Sequence, residues 1–294
     1  MTRPLLVLLL LSAPASAASP AYLDVATSPK GSTAADMFRD LGQVCTGASF
    51  LRQRQTSGSV ENLDLLLNNQ VSLAFVQLDV LKARDQIDHD ERVRALKTLL
   101  PLNFDEIHLL ARPAVVKTNL LGKTTVSGVQ KFSDLRGRKL GAWGGSVVTA
   151  RVLSAKSGLP LTIQEYQGRE EALAALSAGQ VDAVLAVAGQ PVDWVKALSP
   201  AAYRLLPLDI APARVNGFYR PATLRYAGLG GNVGTYAVQR LLVTRDFKTP
   251  ERRAALLAYQ KCALSKLTQL QETQGFHPKW TDVTFKEQTW PRFK

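Results

Sequence analysis

The sequence predicts an α/β protein of two lobes, and three observations carry that expectation. Apolar strand-like runs alternate with helix-like segments along the chain, the pattern of strands joined by helical crossovers. The same rhythm of strand, glycine-containing turn and helix occurs twice, once in each half. Two cysteines, Cys45 and Cys262, lie far apart, so pairing them brings the end of the chain back to its beginning.

In the first unit, Ala21 to Ala26 reads as a strand ending in the turn-rich Thr27-Ser28-Pro29-Lys30-Gly31-Ser32. Ala34, Ala35, Phe38 and Leu41 then recur at helical spacing. Phe50 to Gln55 is a short strand. Ser59 and Asn62 mark a helix start, and Val71 to Gln77 is a compact apolar strand. Ile107 to Ala111 is a further strand, interrupted by Pro113. In the second unit, Lys131 to Gly137 is a short helix and turn, and Lys139 to Trp143 a strand ending in Gly144-Gly145-Ser146. A helix over Val147 to Ser157 stops at Gly158. Thr162 to Tyr166 is a strand, Arg169 to Ala178 a helix ended by Gly179, and Val181 to Val187 a strand. Leu205 to Ile210 and Thr235 to Thr244 read as strands, and Glu251 to Leu270 as one long helix carrying Cys262. The expected division is residues 18–112 with 211–294 for the first lobe and 113–210 for the second.

The chain of 294 residues opens with Arg3, an apolar run from Leu5 to Leu11, and small residues through Ala18. This is a secretory signal pattern, with cleavage after Ala17 in Ala15-Ser16-Ala17. The apolar run is far short of the roughly 20 residues that span a bilayer. No cysteine follows it, so no lipid anchor is expected, and the exported chain is expected in the periplasm. In an oxidising compartment Cys45 and Cys262 are expected to form a disulfide, with two buried thiols as the alternative.

Formal net charge is +12, but the Lys and Arg residues are scattered, and no basic stripe is interleaved with aromatics. A nucleic-acid partner is therefore not expected. His89, His108 and His277 lack metal-ligand spacing, and His108 sits in an apolar strand as a structural histidine would. No metal, cofactor or nucleophile motif is present, so neither a cofactor nor an enzyme activity is expected. The polar turns are more informative. Ser28 to Thr33, Ser57 to Asn62 and Gly144 to Thr149 each lead into a helix. Helix N-termini expose unpaired N–H groups and a positive dipole end, so such turns can hold a carboxylate. Ordinary N-capping uses the same residues.

Several stretches in order resemble the TAXI family of solute-binding proteins, the extracytoplasmic subunits of one branch of TRAP transporters. They are Thr27 to Thr33, Gly58 to Leu63, Ala74 to Asp79, Asp134 to Leu140, Trp143 to Ser146, Gly179 to Ala183, Gly189 to Pro191 and Thr235 to Val238. The resemblance implies a type II periplasmic-binding fold closing on a small organic anion, such as glutamate or another carboxylate, for a membrane permease. Matched to the family's ligand-facing turns are Thr27, Ser32, Thr33, Ser59, Asn62, Gln77, Asp79, Ser146, Thr149, Gly189 and Pro191. Trp143 is a candidate to stack on a ligand or narrow the cleft. Among the cations Arg52, Arg54, Arg112, Arg151 and Arg169, the last, at a helix start, is the candidate to clamp a carboxylate, with a solvated surface role the alternative for each. Ala34 and Ala35 stand where the family carries a tyrosine pair, and Val147 and Val148 where it carries Gly-Thr. These departures bear on ligand identity more than on fold. A monomer is expected. A ligand-sensing protein that signals to a membrane receptor is the alternative function.

Overall fold

The computed structural model describes residues 22–48, 50–286 and 290–294. The expected signal segment, residues 1–17, lies outside the described residues. In the first part of the chain, β1 (Leu23–Ala26), α1 (Thr33–Val44), β2 (Leu51–Arg54), α2 (Ser59–Leu67), β3 (Leu73–Gln77) and α3 (Leu78–Gln86) follow one another. The strands order as β2-β1-β3, all parallel. The period-2 alternation of β3 separates two cores. Leu73 and Phe75 pack with Met37 and Leu41 of α1. Ala74 and Val76 pack on the other face with Leu63, Leu66 and Leu81. α3 was not expected from the sequence, because Gln77 passes into it with no intervening turn residue.

β4 (Leu96–Ala111) runs for 16 residues. Only its last five were expected as strand, because Pro101 and the polar Asn103, Asp105 and Glu106 break the apolar run before them. In the fold those polar groups are buried at the junction of the lobes, where Asp105 and Glu106 enter ion pairs and Asn103 Nδ2 donates to Asp105. The hairpin β5 (Val115–Thr118) and β6 (Thr124–Ser127) follows. Then come β7 (Lys139–Trp143), α4 (Gly145–Ser157), β8 (Thr162–Tyr166), α5 (Arg169–Ser177) and β9 (Ala183–Ala188). Their strand order, β8-β7-β9, repeats that of the first lobe.

The chain continues through α6 (Asp193–Lys196), β10 (Arg204–Leu206), α7 (Pro212–Val215) and β11 (Arg220–Tyr226) to β12 (Gly231–Arg245). β4 pairs antiparallel with β12 on one side and with β9 on the other, joining both lobes in one ten-stranded sheet. Each lobe is thus parallel except where these two long strands cross. Leu224 and Tyr226 of β11 pack with Ala172, Leu176 and Val184, on the second lobe's side. The expected long helix is broken at Lys266 into α8 (Pro250–Ser265) and α9 (Leu267–Glu272).

This C-terminal segment lies on the first lobe. Buried Asp40 of α1 accepts hydrogen bonds from the His277 amide at 2.8 Å and from Trp280 Nε1 at 3.0 Å. Cys45 is bonded to Cys262, with Cα atoms 6.0 Å apart. The pair closes a loop with a sequence separation of 217 residues. Replacing both by serine should lower unfolding free energy by about 2–5 kcal/mol, since the open chain regains that loop's entropy. Urea denaturation of the oxidised protein and the double variant measures this, and equal midpoints would contradict it.

Between the lobes, α3 packs on α4 through a fully buried carboxylate. Asp79 accepts from Thr149 Oγ1 at 2.6 Å, Tyr219 OH at 2.8 Å and its neighbour's amide, Val80 N, at 2.9 Å. Burial outweighs these bonds and raises its pKa from 3.8 to about 6. The unfolded chain therefore releases this proton first, and native stability attributable to Asp79 is lost as pH rises from about 4 through 6. At 1.36 kcal/mol per unit the loss is about 3 kcal/mol. The stability of Asp79→Asn relative to wild type should improve by that order between about pH 4 and pH 7. A difference that does not change with pH would remove the assignment.

Candidate functional site

A cleft of about 1040 Å³ opens between the lobes at the ends of β1, β3, β7 and β9, where ligands sit in open α/β sheets. The first lobe contributes the turn before α1, the start of α2, Gln77 and Arg240. The second contributes Trp143, the starts of α4 and α5, the end of β9 and Trp194. The segment Gly275 to Pro278 forms part of the rim.

Serine hydroxyls are held alike on both sides. Ser59 Oγ accepts from the Gln77 amide at 3.2 Å, and Ser146 Oγ accepts from the Val187 amide at 3.1 Å. Each O–H is left without an acceptor among the described residues, and both serines line the cleft. No side chain caps α2, α4 or α5, and Gly58, Gly145 and Gly168 at their starts face the cleft. α2 and α5 carry acidic residues in their first turns; α4 carries none. The α4 N-terminus is therefore the most receptive of the three to an added anion.

At the cleft floor Arg240 of β12 lies opposite Gln77 of β3. Its guanidinium pairs with buried Asp105, and its Nε, itself buried, has no partner among the described residues. Asp105 also accepts from Asn103 Nδ2 at 2.8 Å. Arg240 escapes sequence inspection because Arg52, Arg54, Arg112, Arg151 and Arg169 compete for attention as cations. Its signal is its setting, a single cation within the apolar Tyr236 to Val243 strand. Behind it Lys279 Nζ, also buried, pairs with Glu106 at 2.6 Å and with Asp282. His108 is buried between the Glu106 carbonyl and the Tyr226 hydroxyl, and burial lowers its pKa to about 4, leaving it neutral and structural.

The residues singled out from sequence divide into two groups. Ser32, Thr33, Ser59, Gln77, Trp143, Ser146, Arg169, Gly189 and Pro191 all line the cleft. Thr27, Asn62, Asp79 and Thr149 lie behind its wall, fully buried and bonded within the protein. Asn62 donates to the Thr27 and Phe75 carbonyls and accepts from Thr56, tying β1 to β3. Asp79 and Thr149 bond each other across the lobes. Ser32 caps α1, accepting from the Ala35 amide at 3.3 Å. Arg169 pairs with Glu170 and lies over Trp194, 5.5 Å from its ring centre, while Trp143 meets Trp194 edge-to-face at 6.2 Å. Among the described residues no group of three or more His, Cys, Asp or Glu is placed to hold a metal.

The sequence profile of the NMT1-like family matches residues 42–251, well over half of the chain and spanning both lobes. The chain belongs to the NMT1-like family. No curated protein matches it. Solved structures similar to this NMT1-like protein include a mutant of the arginine-binding protein ArgBP from T. maritima, with TM-score 0.53 and 12% identity, covering 89% of this chain and 95% of that one. Another comes from Bordetella bronchiseptica RB50, with TM-score 0.52 and 15% identity, covering 90% and 76%. An ancestral arginine-binding protein bound to glutamine gives TM-score 0.50 and 13% identity, covering 90% and 97%. At these identities the likeness speaks for the fold, which is the two-lobed type II periplasmic-binding fold.

Glycines let the two walls of this NMT1-like cleft meet. A Cβ on Gly144 would lie 3.1 Å from the Ser57 carbonyl oxygen, and one on Gly145 would collide with the Gln77 side chain. At the rim, a Cβ on Gly189 would lie 2.9 Å from Lys279 Cγ, 3.1 Å from Asp105 and 3.2 Å from Thr33. The Gln190 amide beside it donates to Glu106 at 2.8 Å. Lys279 is held by two ion pairs and cannot yield freely, so Gly189→Ala should cost about 1–3 kcal/mol of stability. Gly145→Ala, which displaces mainly the free end of Gln77, should cost less. Chemical denaturation of both variants checks the order, and equal or reversed costs would show that the rim has room.

Proposed function

We propose that this protein is a periplasmic solute-binding protein that captures a small organic anion, a carboxylate or amino acid such as glutamate, for a TRAP-type membrane transporter. The observation that carries the reading is the convergence on one interlobe cleft of two serine O–H groups without acceptors among the described residues and the uncapped start of α4, with the cation Arg240 in the same lining. Each is a donor awaiting negative charge, and a carboxylate's acceptor sites suit such a set. Ser32, Thr33, Ser59, Gln77, Ser146 and Arg240 form the polar part of the proposed site. Trp143, Trp194 and Arg169 form a flat wall beside it, with Gly189 and Pro191 at the rim. Thr27, Asn62, Asp79 and Thr149 support this set from behind.

The lobes proposed to close on the ligand are residues 18–112 with 211–294, and 113–210, with β11 and the adjoining end of β12 reaching onto the second. Transport by a TRAP-type partner rests on the resemblance of Thr27 to Thr33, Gly58 to Leu63 and Trp143 to Ser146 to the TAXI pattern. The arginine-binding proteins of the same fold make amino acids the first class to try. The proposed receptor works as a monomer, since its donors come from one chain.

Thermal unfolding of the purified protein against dicarboxylates, amino acids and keto acids tests the reading. A ligand at about 100 times its Kd should stabilise the native state by about 2.7 kcal/mol. Ser146→Ala should weaken binding of that ligand by about tenfold, the loss of one hydrogen bond to a charged group. No shift with any member of the panel would refute capture of an organic anion.

A further inference from the structure

The hairpin β5–β6 stands apart from the main sheet, its strands pairing only with each other. Every residue of both strands is exposed. At its tip Leu120 and Leu121 lie wholly in solvent, at 107% and 92% exposure, and the facing pair Val116 and Val126 is exposed as well. Single exposed apolar residues are ordinary, but adjacent leucines at the end of a projecting ribbon, backed by valines, are a concentrated apolar feature.

The tip is also built rather than slack. Asn119 Oδ1 accepts from the Leu121 amide at 3.0 Å and the Lys123 amide at 2.9 Å. The Asn119 amide donates to the Lys123 carbonyl, and the Gly122 amide to the Asn119 carbonyl, each at 3.0 Å. Gly122 takes φ +75°, which closes the turn. These four amides are thus satisfied inside the loop, which fixes the shape of the tip. Charge completes the pattern. Lys117 and Lys123 flank the leucines, neither is ion-paired among the described residues, and no Asp or Glu occurs from Ile107 to Ser133.

We propose that this hairpin is a membrane-contact element. Leu120 and Leu121 enter the interfacial layer of an anionic bilayer while Lys117 and Lys123 meet its phosphate headgroups. With a tip this small the attachment is reversible, a means of holding the receptor near a membrane surface rather than anchoring it. The element is separate from the cleft and stands whether or not the cleft takes an anion.

Co-sedimentation with vesicles tests it, using the full chain as recovered from its host with its N-terminus read by mass spectrometry and shared by all variants. Wild type should pellet with phosphatidylglycerol–phosphatidylethanolamine vesicles, weakly with phosphatidylcholine vesicles, and less as salt rises. Leu120→Ser with Leu121→Ser should reduce partitioning by about tenfold or more. Lys117→Gln with Lys123→Gln should remove the preference for anionic lipid. All four positions are exposed, and unchanged melting temperatures confirm that the variants fold. Wild type remaining in the supernatant with both vesicle types, or a leucine variant binding as wild type does, would overturn the proposal. The first outcome would send the search to a protein partner for the tip, and the second to basic residues elsewhere on the surface.

Discussion

The antiparallel ladder between β4 and β12 is the constraint on which the rest of the structure depends. Each strand is long enough to serve both lobes, and each does so by changing partners along its length. β4 gives its first part to β12 and its last part to β9. β12 pairs with β11 at its start and with β3 towards its end. The parallel triplets β2-β1-β3 and β8-β7-β9 attach on either side, so their carboxyl ends face one another across a gap. The cleft follows from that geometry.

The same ladder carries a concentration of buried charge. Arg240 and Asp105 lie on its two strands, and Glu106 beside them meets Lys279 from the C-terminal segment. Buried ion pairs are weak sources of net stability, because desolvation offsets their attraction. Here they set position: the Lys279–Glu106 pair locks the C-terminal segment to β4, and the Gln190 amide on Glu106 locks the second lobe's rim to the same point. Arg240, paired with Asp105, is also part of the cleft lining. The charges that define the junction thus also give the proposed site its cationic floor.

Closure and function meet at small residues. Gly144, Gly145 and Gly189 sit where the walls touch, and an added methyl group would crowd Ser57, Gln77 and Lys279 in turn. Asp79, bonded to Thr149 and Tyr219, joins α3 to α4 behind the cleft wall. The α3–α4 contact thus adjoins the close approach of Gly145 to Gln77, while Gly189 meets Lys279, Asp105 and Thr33 at the rim.

Local pattern was enough to read most elements. Lys139 to Trp143 and Thr162 to Tyr166 are strands over the ranges their apolar spacing predicts, because turn residues and glycines mark their ends. The repeated unit and the pairing of Cys45 with Cys262 were legible for the same reason: both are properties of order along the chain. The first part of β4 was hidden, since polar residues inside a strand look like a loop until ion pairs from distant segments satisfy them. α3 was hidden because no turn residue precedes it. In the cleft, sequence named the turns but could not rank their residues. Among the described residues the Ser59 and Ser146 O–H groups meet no acceptor, whereas Asn62 spends its amide on the Thr27 and Phe75 carbonyls and Asp79 spends its oxygens on Thr149, Tyr219 and the Val80 amide. Arg240 resembled any other cation until β3 and β4 closed over it. The sequence by itself determined the elements, their repetition and the kind of group each turn presents, because those depend on neighbours along the chain. Tertiary structure alone decided which polar groups stay available, because a donor is free only if no residue brought from elsewhere has already satisfied it.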